Sequence, residues 1–210
     1  MKILAICVGQ PAPFAAKSGV TGYFKQPQDG PVAVTADGVA GDFIGDLDHH
    51  GGVDQAVYLF GENDRLWWQD KLARECPVGF FGENLLIDGL SSADLCIGDI
   101  IQVGQVMLQV TSPRIPCATY AAVIKDKSAL KDFYAADRPG AYARVLQDGD
   151  ITAGDTATLI PYQGERISIV ENMAAYCTNF PDLSFFERAL TVPAHFKLHI
   201  EAKARLGLGG

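Results

Sequence analysis

Short apolar, β-rich runs punctuated by turn signals fill most of the chain, and apolar positions at helical spacing take over near its end. Residues 2–8 form a near-continuous apolar run, which predicts a buried first strand ended by Gly9 and Pro11. Short β-like pieces such as PVAVT follow up to Gly45, separated by the turn signals QDG and ADG. QAVYLF (55–60) is rich in β-formers and predicts a buried strand, and NDRLWWQDKLARE predicts a helix capped by Asn63 and stopped by Pro77. NLLIDGL, DIIQVG and QVMLQVTS predict closely spaced strands with turns at Gly98–Asp99 and Gly104. KSALKDFYAAD predicts a second helix, broken by Pro139–Gly140, before the strands AYARVLQ and TATLIP around the turn DGD.

Close strand spacing with few helices predicts an antiparallel or mixed barrel rather than a doubly wound sheet. From Gly164 the period changes. In ISIVENMAAYC, Ile167, Val170, Met173/Ala174 and Cys177 recur at helical spacing, and LSFFERAL and PAHFKLHIEAKARL continue as helical segments. The expected organisation is therefore mainly β with α: a barrel-like domain over residues 1–163 and a small three-helix segment over 164–210, ending in a frayed GLGG.

The chain has 210 residues, 48% hydrophobic and 20% charged, the mix of a folded protein with a sizeable core. Its net charge of -8 argues against a broad footprint on a nucleic acid polymer or an anionic membrane, while leaving room for a local basic pocket. The apolar run at the N-terminus is too short for a signal peptide core, and no apolar stretch is long enough to span a bilayer, so a cytoplasmic protein is expected. Five cysteines without Cys-x-x-Cys spacing predict free thiols rather than a disulfide framework or structural zinc.

Four thiols have a packing account: Cys7 in the first strand, Cys76 at a helix end, Cys96 beside Leu95 and Ile97, and Cys177 on an apolar helix face. Cys117, in VTSPRIPCATYA, stands apart. Pro113 and Pro116 fix its backbone, and Arg114 could lower its pKa and favour a thiolate, so packing and chemistry are both open there. The stretch GDFIGDLDHHGGVDQ offers Asp42, Asp46, Asp48, His49, His50 and Asp54, either as a divalent-metal site of a hydrolase or as a solvated loop whose Gly51–Gly52 lets the backbone turn. Lys17, Ser18 and Lys25 have a composition that could hold a phosphate, without a Walker pattern. Glu83 and Asn84 follow a turn, and Tyr142 and Arg144 share one face of a strand. His195 and His199 lie four apart on a helix without an HExxH motif and are assigned no chemistry.

These pieces together resemble the MOSC family, named for the C-terminal domain of molybdenum cofactor sulfurase. The resemblance rests on KSGVTGYFKQPQDGPVAVTADGVAGD, HHGGVDQAVYLF, FGENLLIDGL, IGDIIQVGQVMLQVTSPRIPC and GAYARVLQDGDITAGD, in family order over residues 17–155. The tail with VPAHFKLHI resembles the three-helix extension of the subgroup that includes the N-hydroxylaminopurine resistance protein.

The resemblance implies a β-barrel-like fold and the molybdenum cofactor (molybdopterin). It places the family's hallmark cysteine at Cys117, as a molybdenum ligand or a persulfide carrier. His50, Gly51 and Gly52 match its HGG loop with Asp54 close behind, Asn84 falls in its GEN-like turn, and Tyr142 and Arg144 fall in its YARV strand. It implies reductive removal of oxygen from N-hydroxylated bases or amidoximes. His50 and Asp54 would orient substrate or relay protons, and Arg114, Arg144, Lys17 and Lys25 would hold the cofactor's phosphate. With no ferredoxin-type cysteine spacing and no Rossmann fingerprint in the chain, electrons would come from a separate flavin or iron–sulfur protein. The tail could dock that donor, form a homodimer contact or be structural. A persulfide or cofactor carrier without turnover is the alternative, with the hydrolase a distant third. The Cys117 segment and the DHHGG loop are expected to face one pocket.

Overall fold

Alternation along the central strands builds a sheet whose two faces differ in kind. The computed structural model describes residues 1–14, 19–126, 128–178 and 182–208. Its strands are β1 (Lys2–Gly9), β2 (Ala12–Pro13), β3 (Val20–Thr21), β4 (Lys25–Pro27), β5 (Val32–Thr35), β6 (Gly38–Val39), β7 (Val57–Gly61), β8 (Leu85–Asp88), β9 (Ile100–Val103), β10 (Val106–Pro113), β11 (Ala141–Gln147), β12 (Gly149–Ile151) and β13 (Ala157–Ile160). Its helices are α1 (Leu47–His50), α2 (Glu62–Leu72), α3 (Ala118–Ile124), α4 (Ala129–Ala135), α5 (Ile169–Cys177), α6 (Leu183–Ala189) and α7 (Phe196–Arg205).

Eight strands form one sheet in the order β13-β9-β10-β11-β7-β8-β1-β4, in which only the β7–β8 pair is parallel. In β7, Val57 and Leu59 enter an aliphatic cluster while Tyr58 and Phe60 enter an aromatic one. β8 repeats the division with Leu85 and Ile87 against Leu86, so both strands are buried on both sides.

The anticipated barrel is not closed. The edge strands β13 and β4 do not pair, and β1 meets the approach to β13 through a single bridge, Lys2 with Thr156, supported by backbone hydrogen bonds of Met1 and Ile3 with residues 154–157. A register shift between Ile3 and Ala5 bends β1 there, and from Cys7 onward β1 pairs with β4 instead. The DGD stretch expected as a turn contributes to β12, which pairs with β5.

Three local expectations are corrected. Asn63 lies inside α2, whose N-cap is Gly61, and the helix ends at a left-handed Ala73 (φ 48°), well before Pro77. The DHH stretch is not loop but α1, because the Asp46 side chain accepts the His49 amide at 3.3 Å and caps it. Cys117, expected from the sequence to lie in a surface connection, is the N-cap of α3.

The C-terminal helices pack onto the sheet. α5 buries Ile169, Asn172 and Met173, a face rotated from the expected one, which leaves Cys177 exposed. Phe185, Phe186 and Ala189 of α6 and Leu198 and Ala202 of α7 join the same aliphatic cluster as β7 and β8. Among the described residues no helix is long and apolar enough to cross a membrane.

Candidate functional site

The site grows from the end of β10. A register shift between Val110 and Ser112 bends this strand against β11, and the Thr111 hydroxyl reaches the carbonyls of Asp54 (2.6 Å) and Tyr142 (3.1 Å) at the bend. The chain then delivers Arg114 into the aromatic side of the sheet, where it is only 4% exposed. Its guanidinium carbon lies 5.4 Å from the rings of Tyr58 and Tyr120, 5.6 Å from Tyr23 and 5.7 Å from Phe133.

Among the described residues no carboxylate forms a salt bridge with Arg114, and its Nε and Nη1 have no hydrogen-bond partner. Burying an unpaired cation costs several kcal/mol, of which cation–π contacts recover about 2 kcal/mol or more when desolvated. The remaining demand is for an anion.

Three residues further on, Cys117 stands at the head of α3, beside His50 from the end of α1. Burial alone would raise the thiol's pKa. The hydrogen bond from His50, the charge of Arg114 and the Tyr120 amide outweigh burial and hold the thiol down at about 6. Cys7 shows the opposite balance: buried in β1, it is pushed up to about 12 by desolvation. Near neutral pH, Cys117 is therefore a thiolate and Cys7 a thiol.

Arg114, Cys117, His50, Tyr142, Lys25 and Asn84 line one cavity, with about 830 Å³ of atom-free space including its open mouth. The Cys117 segment and the HGG loop thus face a common space. Gly51 and Gly52 serve this arrangement through the backbone. A Cβ on Gly51 would press on Leu47 of α1 at 2.8 Å, and Gly52 has a φ of 94°, a region that favours glycine.

Lys25 reaches the cavity wall but is not a free cation. Its ammonium is paired with both carboxylate oxygens of Asp42, and burial lowers its pKa. Asp42 also accepts from the Gly9 amide at 2.7 Å and from Asn84 Nδ2 at 2.9 Å, while Asn84 Oδ1 accepts the Tyr58 amide at 3.0 Å. Lys25, Asp42 and Asn84 form a neutral knot, which leaves the Arg114 guanidinium, paired with no carboxylate, and the Cys117 thiolate that it favours.

Asp54 and Arg144 do not line the cavity. They pair with each other at 2.9 Å, Arg144 Nη2 donates to the carbonyls of Pro193 (3.2 Å) and Ala194 (2.9 Å), and Asp54 Oδ2 accepts the Phe196 amide at 2.8 Å. Together they fasten the start of α7 to the sheet. Lys17 and Ser18 lie outside the described residues.

The Asp/His stretch does not assemble as a metal centre: no group of three His, Cys, Asp or Glu residues suited to a metal ion occurs among the described residues. Asp42, Asp46 and Asp54 are instead committed to Lys25, to the cap of α1 and to Arg144.

Sequence reasoning did not single out Tyr23, Tyr58 or Tyr120, which enclose Arg114, or Gln55, which lines the cavity. An aromatic residue in a strand reads as core, and only the guanidinium among these rings marks them as a box. His195, assigned no chemistry, caps α7 and lines a second cleft that also touches Cys117.

Comparison with known proteins agrees with this architecture. The chain is 30% identical over 169 residues to the uncharacterized protein YflK of Bacillus subtilis (strain 168), covering 80% of this chain and 76% of that one. It is 34% identical over 196 residues to a Gibberella moniliformis (strain M3125 / FGSC 7600) protein named reductase, matching 83% of this chain and only 35% of that longer protein. The crystal structure of YiiM from Geobacillus stearothermophilus superposes with a TM-score of 0.81 at 27% identity, covering 98% of each chain. A family model for the MOSC domain matches residues 46–158, and the chain belongs to the MOSC domain family.

Proposed function

We propose that this protein binds the molybdenum cofactor and reduces N-hydroxylated compounds, such as N-hydroxylated bases and amidoximes, with electrons from a separate flavin or iron–sulfur protein. The observation that carries the reading is one cavity holding a buried, unpaired guanidinium beside a thiolate. The residues present fit such a group. Arg114 offers two unsatisfied donors to a phosphate or other anionic oxygen, and Cys117 offers a soft sulfur ligand for molybdenum.

When bound, the cofactor would supply a redox-active metal centre for two-electron reduction of an N–O bond. The chain's part is to bind and orient. Arg114 neutralises the anionic end, and its aromatic box keeps water from that charge. His50 hydrogen-bonds the Cys117 sulfur and so favours its thiolate. The Lys25–Asp42–Asn84 knot ties together another part of the cavity lining. Support for a reductase comes from the relative that bears that name, of which this chain spans 35%.

A thiolate at pH 7 would serve a persulfide carrier equally well, so the test must separate the two. Wild type, Cys117→Ser and Arg114→Met are purified from a cofactor-competent host and assayed for molybdenum, pterin and labile sulfur. The expected result is molybdenum with pterin in wild type, molybdenum lost from Cys117→Ser, and both lost from Arg114→Met. Labile sulfur that depends on Cys117, without molybdenum or pterin, would replace the reductase by the carrier. Stoichiometric zinc or manganese without pterin would overturn both.

A further inference from the structure

Cys117 stands between two spaces. His50, Tyr142 and Gln55 line both the cavity of Arg114 and a second cleft, whose far wall comes from the C-terminal helices through Tyr176, His195 and Glu201. The chemistry of the two differs. The first holds a buried cation that no carboxylate pairs, whereas the second has Pro113, Ile115, Pro116 and the rings of Tyr142 and Tyr176 in its lining and carries both signs of charge, Asp46 and Glu201 with Lys197, so that it has no single excess charge to satisfy. A charged group belongs in the first; a flat, uncharged molecule suits the second.

The second cleft also holds a fixed hydrogen-bond donor. His195 is 4% exposed, its backbone amide donates to the Thr111 carbonyl at 3.0 Å, and its ring stacks on Phe196 with centroids 4.7 Å apart. Its Nδ1 accepts the Lys197 amide at 3.1 Å, which assigns the proton of the neutral ring to Nε2. Burial lowers its pKa, so the ring stays neutral near pH 7. The Asp54–Arg144 pair holds this residue's surroundings in place, since Asp54 accepts the very next amide, that of Phe196, and Arg144 bonds the carbonyl of Ala194 just before it.

We propose that this second cleft is the substrate site, that it admits an uncharged planar N-hydroxylated aromatic compound to the Cys117 side opposite Arg114, and that His195 Nε2–H donates to the substrate's oxygen. The inference rests on the function proposed above and assigns its two ligands to separate spaces. It gives the C-terminal segment a function: it supplies one wall of the site. Because the sulfur is shared, what enters from the helical side reaches the thiolate without crossing the Arg114 box.

The test uses the full chain without cofactor and two probes, benzamidoxime for the second cleft and inorganic pyrophosphate for the first. Binding is followed by calorimetry and by the imidazole signals of ¹⁵N-histidine-labelled protein. His195→Asn keeps the helix cap, since asparagine is a strong N-cap, but removes the Nε2 donor. The expected result is benzamidoxime binding weakened about tenfold in His195→Asn and in Tyr176→Ala, the worth of one hydrogen bond or one lost aromatic wall, with pyrophosphate binding unchanged. Arg114→Met should do the reverse, and the His195 resonances of wild type should shift with benzamidoxime only.

Two results overturn the proposal. Benzamidoxime binding that ignores His195 and Tyr176 but is lost in Arg114→Met would put both ligands in one cavity. A wild type that binds pyrophosphate but not benzamidoxime would remove the second site while leaving the anion-binding reading intact. Conversely, His195-dependent benzamidoxime binding without pyrophosphate binding would uphold the cleft and remove the anion site.

Discussion

On one face of the sheet, Val57, Leu59, Leu85 and Ile87 join Ile101, Val103 and Leu108 in an aliphatic cluster that the C-terminal helices extend. On the other, Phe60, Trp68 and Phe81 belong to an aromatic cluster in which Tyr23, Tyr58, Tyr120 and Phe133 surround a guanidinium. The first face is made of residues whose demands are met by contact alone, so it stabilises without specifying chemistry. The second contains a charge that its own neighbours leave unpaired. Stability and function are divided between two surfaces of the same strands, separated by one residue of alternation.

The division can be broken first from the aliphatic side. Leu59→Ala, fully buried, should cost about 2–5 kcal/mol in urea unfolding, and Cys117 in the folded fraction should still titrate near 6. A thiol titration that moved with this cavity would show that the two faces are coupled.

A smaller loss is expected where the C-terminal helices are fastened across the sheet. Asp54→Ala leaves Arg144 without its carboxylate and the Phe196 amide without its acceptor, a cost of about 1–3 kcal/mol for a partly buried pair. Hydrogen exchange in α7 should speed up while that in β7 does not. Uniform acceleration through the sheet would mean that the pair supports the whole core.

The smallest effect on stability is expected from the residue with the largest effect on chemistry. Arg114→Met removes a buried charge that no carboxylate pairs and should leave stability within about 1 kcal/mol of wild type, or raise it. Its loss should move the alkylation midpoint of Cys117 by iodoacetamide upward from about 6, since a nearby positive charge favours the thiolate.

The sign for stability follows from the same shift. The folded thiol titrates below its ordinary value of 9.0, so Cys117 stabilises the fold fully above that pH, and this contribution fades as pH falls through about 6. In Arg114→Met the dependence between those limits should flatten. A midpoint unchanged by the substitution would transfer the whole effect to His50 and the Tyr120 amide.

Much of this was legible in the sequence where it rests on near neighbours. The run of β-formers in QAVYLF marks a buried strand, and the helical period after Gly164 marks α5 to α7. The prolines around Arg114 and Cys117 mark a stiff segment carrying a thiol and a cation. Failures occurred where a distant partner changed a residue's task. Asp54 and Arg144, close to family motifs, are drawn into fastening α7 by the carbonyls of Pro193 and Ala194 and the Phe196 amide. Lys25 has a phosphate binder's composition around it, yet Asp42 takes its charge. His195 looked like half of an idle helical pair, and becomes a wall of the second cleft once α7 packs beside β10.

By itself, then, the sequence determined the strand-rich pattern, the change to helices at the C-terminus and the isolated thiol just after two prolines, because these depend on local backbone preference and on patterns a few residues long. Only the tertiary structure decided which charges cancel and which remain. Arg114 is left without a carboxylate partner because residues 23, 58, 120 and 133 converge on it and none brings one. Electrostatic balance depends on distance in space, and a linear pattern carries no record of distances between residues so far apart along the chain.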